Sequence, residues 1–392
     1  MRIAVRLTFL LLLLSLTSRA QLTVQGRVYG GRNQEPLPFA NVFLSGTTKG
    51  TVTDETGAFK LTDVPSGKFD LIVSFVGFTT LKTTVQTGDP KTYRFVLRPL
   101  ENQLNAVTVN ARRPRGPDWD RQIALFIENF IGTSQNAAQC KLLNEEVLSF
   151  SQRGDTLTAR AQEPLLIDNQ ALGYRLKFQL DKFVYDYAQY RVTYEGNPVF
   201  ELLTPRNSRE AQRWHDNRQR AYFGSTMHFG RALYRRELAR EGFAFQRVIE
   251  RRNQRGELTM VGLPGDTTIE ARSLANRKKL IPLPMANYNI ILDSVRSTPL
   301  VPVVLFTDLI QVTYTREQEP FAFRRARRPT TVGNPALFQR SLLRMLEPDL
   351  TLEPNGQFWP ARDFRSEGYW AWELVADDLP WDYDPYEPLD NQ

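Results

Sequence analysis

Cysteine and histidine are almost absent from this chain of 392 residues, which contains one cysteine, Cys140, and two histidines, His215 and His228. A single cysteine cannot form an internal disulfide, so the fold must be stabilised by burial of apolar side chains. Two histidines cannot supply the three His ligands of many zinc enzymes, and no His-Glu-x-x-His pattern occurs. The sequence therefore predicts no metal site, no cofactor and no metallocarboxypeptidase activity.

Long apolar runs are also scarce, and the clearest one lies within residues 1–20. Arg2 and Arg6 precede the run Leu10–Leu14, and the small residue Ala20 ends the segment. This pattern predicts a secretory signal peptide that is cleaved after Ala20. The run is shorter than the roughly 20 residues that a membrane helix needs, so no transmembrane span is expected in the mature chain.

Charge is distributed unevenly along the chain, whose net charge is +7. Arginine is concentrated between residues 206 and 255, and this surface and the acidic tail could pair within the molecule. In an exported protein, an Arg-rich surface favours an anionic lipid, a glycan or another envelope protein as the partner, rather than nucleic acid. The acidic tail contains Asp377, Asp378, Asp382, Asp384, Glu387 and Asp390.

Residues 24–78 alternate apolar and polar side chains with a period of two. Because residues two apart in a strand face the same side of the sheet, this pattern predicts half-buried strands that need a second sheet to cover them. Glycine and proline punctuate the pattern where turns are expected. Together these features predict a small antiparallel β-sandwich. The alternating runs are Val24-Gly26-Val28, Val42-Leu44, Phe59-Leu61 and Phe69-Leu71-Val73-Phe75.

The same stretch resembles a carboxypeptidase-like regulatory domain, and the resemblance implies a transthyretin-like fold. It also resembles the domain that precedes nutrient transporters of the Bacteroidota envelope, which implies an envelope location. The matching residues are Gly26-x-Val28, Pro36-Leu37-Pro38, Ala40-Asn41-Val42, Gly46-Thr47, Gly50-Thr51-x-Thr53-Asp54-x-x-Gly57-x-Phe59 and Val64-Pro65-x-Gly67.

The rest of the chain predicts a larger α+β domain, so the protein is expected to be mostly β overall. The predicted boundaries are a signal peptide at 1–20, the sandwich at 21–99, a linker at 100–117 and the second domain at 118–392. Apolar spacing predicts one helix from Asp118 to Gly132 and a long helical segment from Ser208 to about Arg240, interrupted near Gly224. Further predictions are a helical piece over 136–143 capped by Ser134, antiparallel hairpins over 147–203, a strand over 288–295 and a helix over 335–346.

This second domain resembles the C-terminal region of an uncharacterised group of envelope proteins that carry the same regulatory domain. The resemblance implies a shared fold and brings no activity with it. Among the residues that carry it are Asn169-x-Ala171-Leu172-Gly173-Tyr174, Trp214-x-x-Asn217-Arg218 and Asp377-x-Leu379-Pro380-x-Asp382-Tyr383.

One stripe of the long helical segment carries aromatic and polar side chains at helical spacing, which makes it the candidate binding site. Two interpretations are open. Arg218 and His228 could face an anionic ligand, or the stripe could be a buried polar network that attaches the helix to a sheet, with Arg218 stacked on Trp214 or Tyr222. The candidate binding residues are Trp214, Arg218, Tyr222, Ser225 and His228.

These features predict a non-enzymatic, exported envelope protein with a binding or assembly role at the periplasmic side of the outer membrane. No set of catalytic residues can be read from the sequence, and Ser225 lacks the G-x-S-x-G context of a nucleophile elbow. The alternative is a glycan-directed hydrolase that uses paired carboxylates, because any two acidic residues could meet in the fold.

Overall fold

A computed structural model describes residues 22–31, 33–100, 116–252, 258–262, 288–307, 309–326, 338–348 and 350–388. The predicted signal peptide and nearly all of the predicted linker lie outside these ranges, and the domain boundaries stay a prediction. The predicted fold class is confirmed, because a β-sandwich is followed by a larger α+β region.

Two sheets form the N-terminal sandwich, in the orders β2-β1-β5, with β8 beside β1, and β4-β3-β6-β7. Val28, Val42 and Leu71 are fully buried between them. The sandwich is not wholly antiparallel as predicted, because the chain crosses between the sheets after β7 and places β8 parallel to β1. The strands are β1 (Val24–Gly30), β2 (Glu35–Pro36), β3 (Asn41–Leu44), β4 (Gly50–Val52), β5 (Ala58–Leu61), β6 (Lys68–Ser74), β7 (Leu81–Gln86) and β8 (Thr92–Leu97).

The next layer is a six-stranded sheet packed on helix α1 (Pro117–Phe130), through Phe126 and Phe130. Strand β13 is long enough to pair with β11 at one end and β12 at the other, while β14 follows its opposite edge. The predicted hairpins are therefore not a simple meander. The strands are β9 (Cys140–Leu142), β10 (Leu148–Arg153), β11 (Thr156–Ala161), β12 (Leu165–Asn169), β13 (Tyr174–Asp186) and β14 (Arg191–Leu202).

A five-stranded sheet, β16-β15-β18-β19-β22, and a small sheet, β17-β20-β21, complete the second domain. The strands are β15 (Phe243–Arg252), β16 (Leu258–Gly262), β17 (Val303–Val304), β18 (Leu309–Tyr314), β19 (Gln339–Met345), β20 (Leu350–Leu352), β21 (Phe358–Trp359) and β22 (Phe364–Gly368). Short helices α4 (Phe321–Ala326) and α5 (Tyr369–Trp372) flank them, and 3-10 turns lie at Ala137–Gln139, Glu145–Val147, Tyr288–Ile290, Ala361–Asp363 and Val375–Asp377.

The long helical segment is two helices, α2 (Ser208–Tyr222) and α3 (Thr226–Tyr234), and the predicted break near Gly224 is confirmed. Gly224 has φ +89°, a conformation that glycine adopts without steric cost. Because the chain changes direction there, Tyr222 joins the core beneath the six-stranded sheet and Phe229 joins the core of the five-stranded sheet.

Several predicted elements are wrong in detail. Residues 288–295 form a 3-10 turn and loop, whose apolar pattern reflects burial of Ile291 and Leu292 rather than a strand. Residues 339–345 form strand β19 rather than a helix. The sequence predicts a helix here because Gln339 and Ser341 are polar residues on the buried face of the strand, and they conceal its period of two. The helical piece after Ser134 is only the Ala137–Gln139 turn, since Cys140–Leu142 pair with β12.

The two domains are in direct main-chain contact, and the C-terminal segment, residues 375–388, lies against both of them. The amide of Gly46 donates to the carbonyl of Pro198 at 2.6 Å, and that of Phe200 to Thr47 at 2.9 Å. The amide of Trp381 donates to the carbonyl of Gly46 at 2.8 Å, and Asp382 accepts from the amide and hydroxyl of Thr48. A cleft lies between the N-terminal domain, α2, α3 and the C-terminal segment.

Candidate functional site

One face of α2 binds the turn that joins β12 to β13. Trp214 Nε1 donates to the carbonyl of Gln170 at 2.8 Å, Asn217 Nδ2 to Ala171 at 2.7 Å, and Arg218 Nε to Leu172 at 2.7 Å. These donors lie three and four residues apart, so they project from the same side of the helix. The motif Asn169-x-Ala171-Leu172-Gly173-Tyr174 in the turn and the motif Trp214-x-x-Asn217-Arg218 in α2 are therefore in direct contact.

The guanidinium group of Arg218 lies 4.3 Å from the ring centroid of Tyr174, not over Trp214 or Tyr222 as predicted. Tyr174 begins β13, directly after the turn that Arg218 binds, so hydrogen bonding to the turn brings the cation over this ring. Arg218 is only 4 % exposed. Arg218 thereby holds both the turn and the start of the strand.

His228 is fully buried. Its Nδ1 accepts a hydrogen bond from the amide of Gly224 at 3.1 Å, and its Nε2 lies 3.3 Å from Glu241 Oε2. Burial lowers the pKa of His228, and the Gly224 amide opposes protonation of Nδ1, because two N–H groups would then face each other. Ser225 accepts from the amide of His228 and caps α3.

The structure therefore divides the five candidate residues into two groups. Trp214 and Arg218 contact the turn before β13, while Tyr222, Ser225 and His228 lie at the break between α2 and α3, with ring centroids of Tyr222 and His228 4.9 Å apart. These contacts are those of a buried polar network. A binding role for the five residues stays a prediction, although Arg218 and Tyr222 also reach the cleft.

The cleft has a volume of about 970 Å³. It mixes aromatic rings, prolines and charged groups of both signs. Its lining residues include Thr48, Lys49, Asp63 and Ser66 from the N-terminal domain, Tyr174, Leu202, Arg218, Tyr222, Arg231 and Arg235 from the second domain, Asn355 from the turn after β20, and Trp381 to Pro388 from the C-terminal segment.

Arg231 fixes the far wall of the cleft. Its Nε donates to the carbonyl of Asn355 at 2.9 Å, its Nη1 to Tyr383 at 2.8 Å and its Nη2 to Trp381 at 2.9 Å. Arg231 is not among the residues predicted from helical spacing, because the break at Gly224 changes the helical phase between α2 and α3. The Arg-rich stretch does meet the acidic tail here, but through main-chain carbonyls. Its described ion pairs are made instead with Glu210, Glu237 and Glu241.

Two polar groups on the cleft residues have no hydrogen-bond partner in the described part of the chain. They are the hydroxyl of Tyr383 and Nδ2 of Asn355, and each residue is 6 % exposed. A buried polar group without a partner costs about 1–3 kcal/mol. Sequence reasoning missed both residues as site candidates, although Tyr383 belongs to a quoted motif.

At the base of the C-terminal segment, Asp377 forms a second polar cluster. Its Oδ1 accepts from Ser134 Oγ at 3.0 Å and from Asn136 Nδ2 at 2.9 Å, while its Oδ2 is buried without a partner in the described residues. Burial raises the pKa of Asp377 to about 6, although these two hydrogen bonds lower it. The nearby carboxyl of Glu373 also has a raised pKa, through burial and the charge of Asp377.

We expect Asp377→Asn to remove part of the pH dependence of stability. A carboxyl whose pKa rises on folding stabilises the protein fully below its unfolded pKa of 3.8, and this contribution is lost as the pH rises through about 6. The variant should match the wild type in urea unfolding at pH 4 and be more stable by up to about 3 kcal/mol at pH 7.5.

The control is Asp384→Asn, which removes an exposed carboxylate from the same segment. It should change stability equally at both pH values. If Asp377→Asn were instead less stable than the wild type at pH 7.5, its charge would be stabilising and the assignment would be wrong.

Within the described ranges, no group of three or more His, Cys, Asp or Glu residues is arranged to hold a metal ion. No helix in that part of the chain is both long and apolar enough to cross a bilayer.

Comparison with known proteins identifies one domain. No curated protein gave a match. Among solved structures, a mutant type II cohesin-X-dockerin complex from Acetivibrio cellulolyticus is 25 % identical over 19 % of this chain and 51 % of its own, with a TM-score of 0.15. A 9R-lipoxygenase from Cyanothece is 11 % identical over 57 % of this chain and 49 % of its own, also with a TM-score of 0.15.

Each of these matches thus spans about half of the solved chain, and TM-scores this low carry no information on the fold. Residues 24–109 match the family model described as the CarboxypepD_reg-like domain. This match supports the predicted regulatory domain: the N-terminal part of this protein is similar to the CarboxypepD_reg-like domain.

Proposed function

We propose that this is a non-catalytic binding or assembly protein, exported across the inner membrane and acting at the periplasmic side of the outer membrane. The observation that carries the proposal is the cleft of about 970 Å³, which both domains and the C-terminal segment line together. Ligand sites commonly have this volume and form preferentially between domains. The CarboxypepD_reg-like domain supports a binding or non-catalytic role.

In this proposal the N-terminal domain contributes one wall of the binding site. Its loop from Gly46 to Thr48 is bonded to β14 on one side and to the C-terminal segment on the other. Trp381 also packs closely on Gly46, where an added Cβ would lie 2.6 Å from the indole ring. These contacts fix the position of Lys49, which lines the cleft. The site is thus held in shape by main-chain bonds before any ligand arrives.

The alternative, a glycan-directed hydrolase, needs two carboxyl groups that face each other across the cleft. Of the acidic residues that line it, Asp382 accepts two hydrogen bonds from Thr48 and so holds the C-terminal segment in place. This structural role makes Asp382 a poor member of a catalytic pair and leaves Asp63, Asp384 and Glu387 as the other lining carboxylates. The hydrolase would be supported by release of new reducing ends from a glycan that the protein binds.

Site-specific crosslinking in cells tests the proposal. The photoreactive residue p-benzoylphenylalanine replaces Ser66, which is exposed and lines the cleft. After irradiation and cell fractionation, we expect a crosslinked product in the envelope fraction. The matched control places the same residue at Gln189, an exposed position at the tip of the β13–β14 hairpin, and should give none.

Two outcomes would contradict the proposal. Recovery of the protein in the cytoplasmic fraction would refute export. An exported protein with no product at position 66, or with equal products at both positions, would show that the cleft does not bind an envelope component.

A further inference from the structure

We infer that the cleft takes an uncharged, hydroxyl-rich ligand, which means a neutral saccharide. This inference rests on the proposed function, since it names the ligand class of the same site. It is carried by three features that the fold brings together: Nδ2 of Asn355 and the hydroxyl of Tyr383, neither of which has a hydrogen-bond partner within the described ranges, and the exposed ring of Tyr386.

The charges around the cleft disfavour an anionic ligand. Arg231 uses all three of its guanidinium nitrogens on main-chain carbonyls, and Arg218 donates to the carbonyls of Leu172 and Gly173. Arg235 is paired with Glu237 at 2.9 Å. Three of the five N–H donors of Arg231 are thus already bonded to the main chain. A phosphate would also meet acidic groups, because the lining contains Asp63, Asp382, Asp384 and Glu387 alongside Lys49.

The unpartnered groups match a sugar hydroxyl instead. An amide NH₂ only donates, whereas a phenol both donates and accepts. A sugar hydroxyl can do both, so it can bond to either group without bringing a charge into the cleft. Asn355 Oδ1 already accepts from the amide of Gln357 at 2.9 Å, which fixes the amide plane and leaves Nδ2 as a buried donor without a partner in the described residues. Satisfying these groups would remove the cost of burying them unpaired.

The aromatic residues supply the other half of a saccharide site. Tyr386 is 67 % exposed and its ring lies 6.4 Å from that of Phe223, which supports it from one side. Trp381 lies nearby in the same segment and is partly buried against Gly46. Rings with an apolar face and a polar edge bind ligands that are apolar on one side and polar at the rim, as pyranose rings are.

Calorimetry with defined saccharides tests the inference. The probes are maltohexaose, cellohexaose and N-acetylchitohexaose, with vesicles of phosphatidylglycerol as the anionic comparison. We expect at least one neutral hexasaccharide to bind the wild type and the vesicles not to bind. Tyr383→Phe should weaken saccharide binding about five- to tenfold, because it removes only the hydroxyl. Its melting temperature should not fall, because the lost hydroxyl has no partner within the described residues.

The matched control is Tyr187→Phe, which makes the same chemical change at the β13–β14 hairpin, away from the cleft, and should leave affinity unchanged. Tyr386→Ala, at an exposed position, should weaken binding without affecting folding. No binding of any of the three saccharides, equal affinity of the Tyr383→Phe and Tyr187→Phe variants, or vesicle binding that Tyr383→Phe alters would each overturn the inference. A crosslink at position 66 without saccharide binding would refute the ligand class and leave the proposed function standing.

Discussion

Replacing Gly230 with alanine is expected to destabilise the protein by about 3 kcal/mol or more. Gly230 lies in α3, where the helix crosses the turn after β20. A Cβ at this position would lie 1.9 Å from the carbonyl oxygen of Gly356 and 2.7 Å from its carbonyl carbon. The obstacle is main chain and cannot move aside as a side chain would. The turn must therefore separate from α3, which also moves Asn355 away from Arg231.

Urea unfolding followed by circular dichroism measures the effect of Gly230→Ala. In an unobstructed helix interior, the same substitution would stabilise by about 1 kcal/mol, so the sign of the change reports the contact. Gly116→Ala is the control, because Gly116 has φ −102° and nothing lies within 4 Å of an added Cβ. A stable Gly230→Ala variant would show that α3 and the turn are not in direct contact.

Replacing Trp214 with alanine is expected to cost about 3–5 kcal/mol. The indole is 3 % exposed, donates to the carbonyl of Gln170 and packs on Gly173, where an added Cβ would lie 2.3 Å from the ring. Gly173 has φ +72° and has no side chain, so the ring can approach the main chain of the turn. Its loss leaves a cavity and removes the hydrogen bond to the Gln170 carbonyl.

Trp214→Phe separates these two contributions. Phenylalanine retains most of the apolar contact and loses the N–H donor, so it should cost about 1 kcal/mol for the hydrogen bond and a further amount for the smaller ring. The same urea titration compares the three proteins. Equal stability of Trp214→Ala and the wild type would mean that α2 does not depend on this turn.

The N-terminal fold could be predicted largely from the sequence because its strands are half buried. Val24 and Val28 face the core while Gln25 and Arg27 face outward, and this alternation is visible without any knowledge of partners. The parallel pairing of β8 with β1 could not be predicted, since it depends on where the chain crosses between sheets. Strand β19 was hidden for a different reason: a polar residue such as Ser341 can be buried when it accepts a hydrogen bond, here from the amide of Trp370.

The candidate site was predictable only in part. Helical spacing placed Trp214 and Arg218 on one face of α2, but spacing within a helix does not reveal what the face binds. The turn at 170–173 lies more than 40 residues earlier in the chain, and the cleft is completed by a segment far from both. Arg231 could not be assigned to the site, because the break at Gly224 resets the helical phase. A site formed by three distant segments leaves no local pattern in the sequence.

The C-terminal segment has a consequence for how the protein is made. Residues 376–383 contact the N-terminal domain at Gly46 and Thr48 and the second domain at Ile131, Asn169 and Arg231. Val375, Ala376 and Leu379 are also buried in the core beneath the six-stranded sheet. Because residues 376–383 follow the strands of both sheets in the chain, neither this core nor the contact with the N-terminal domain can be completed until the segment has been synthesised.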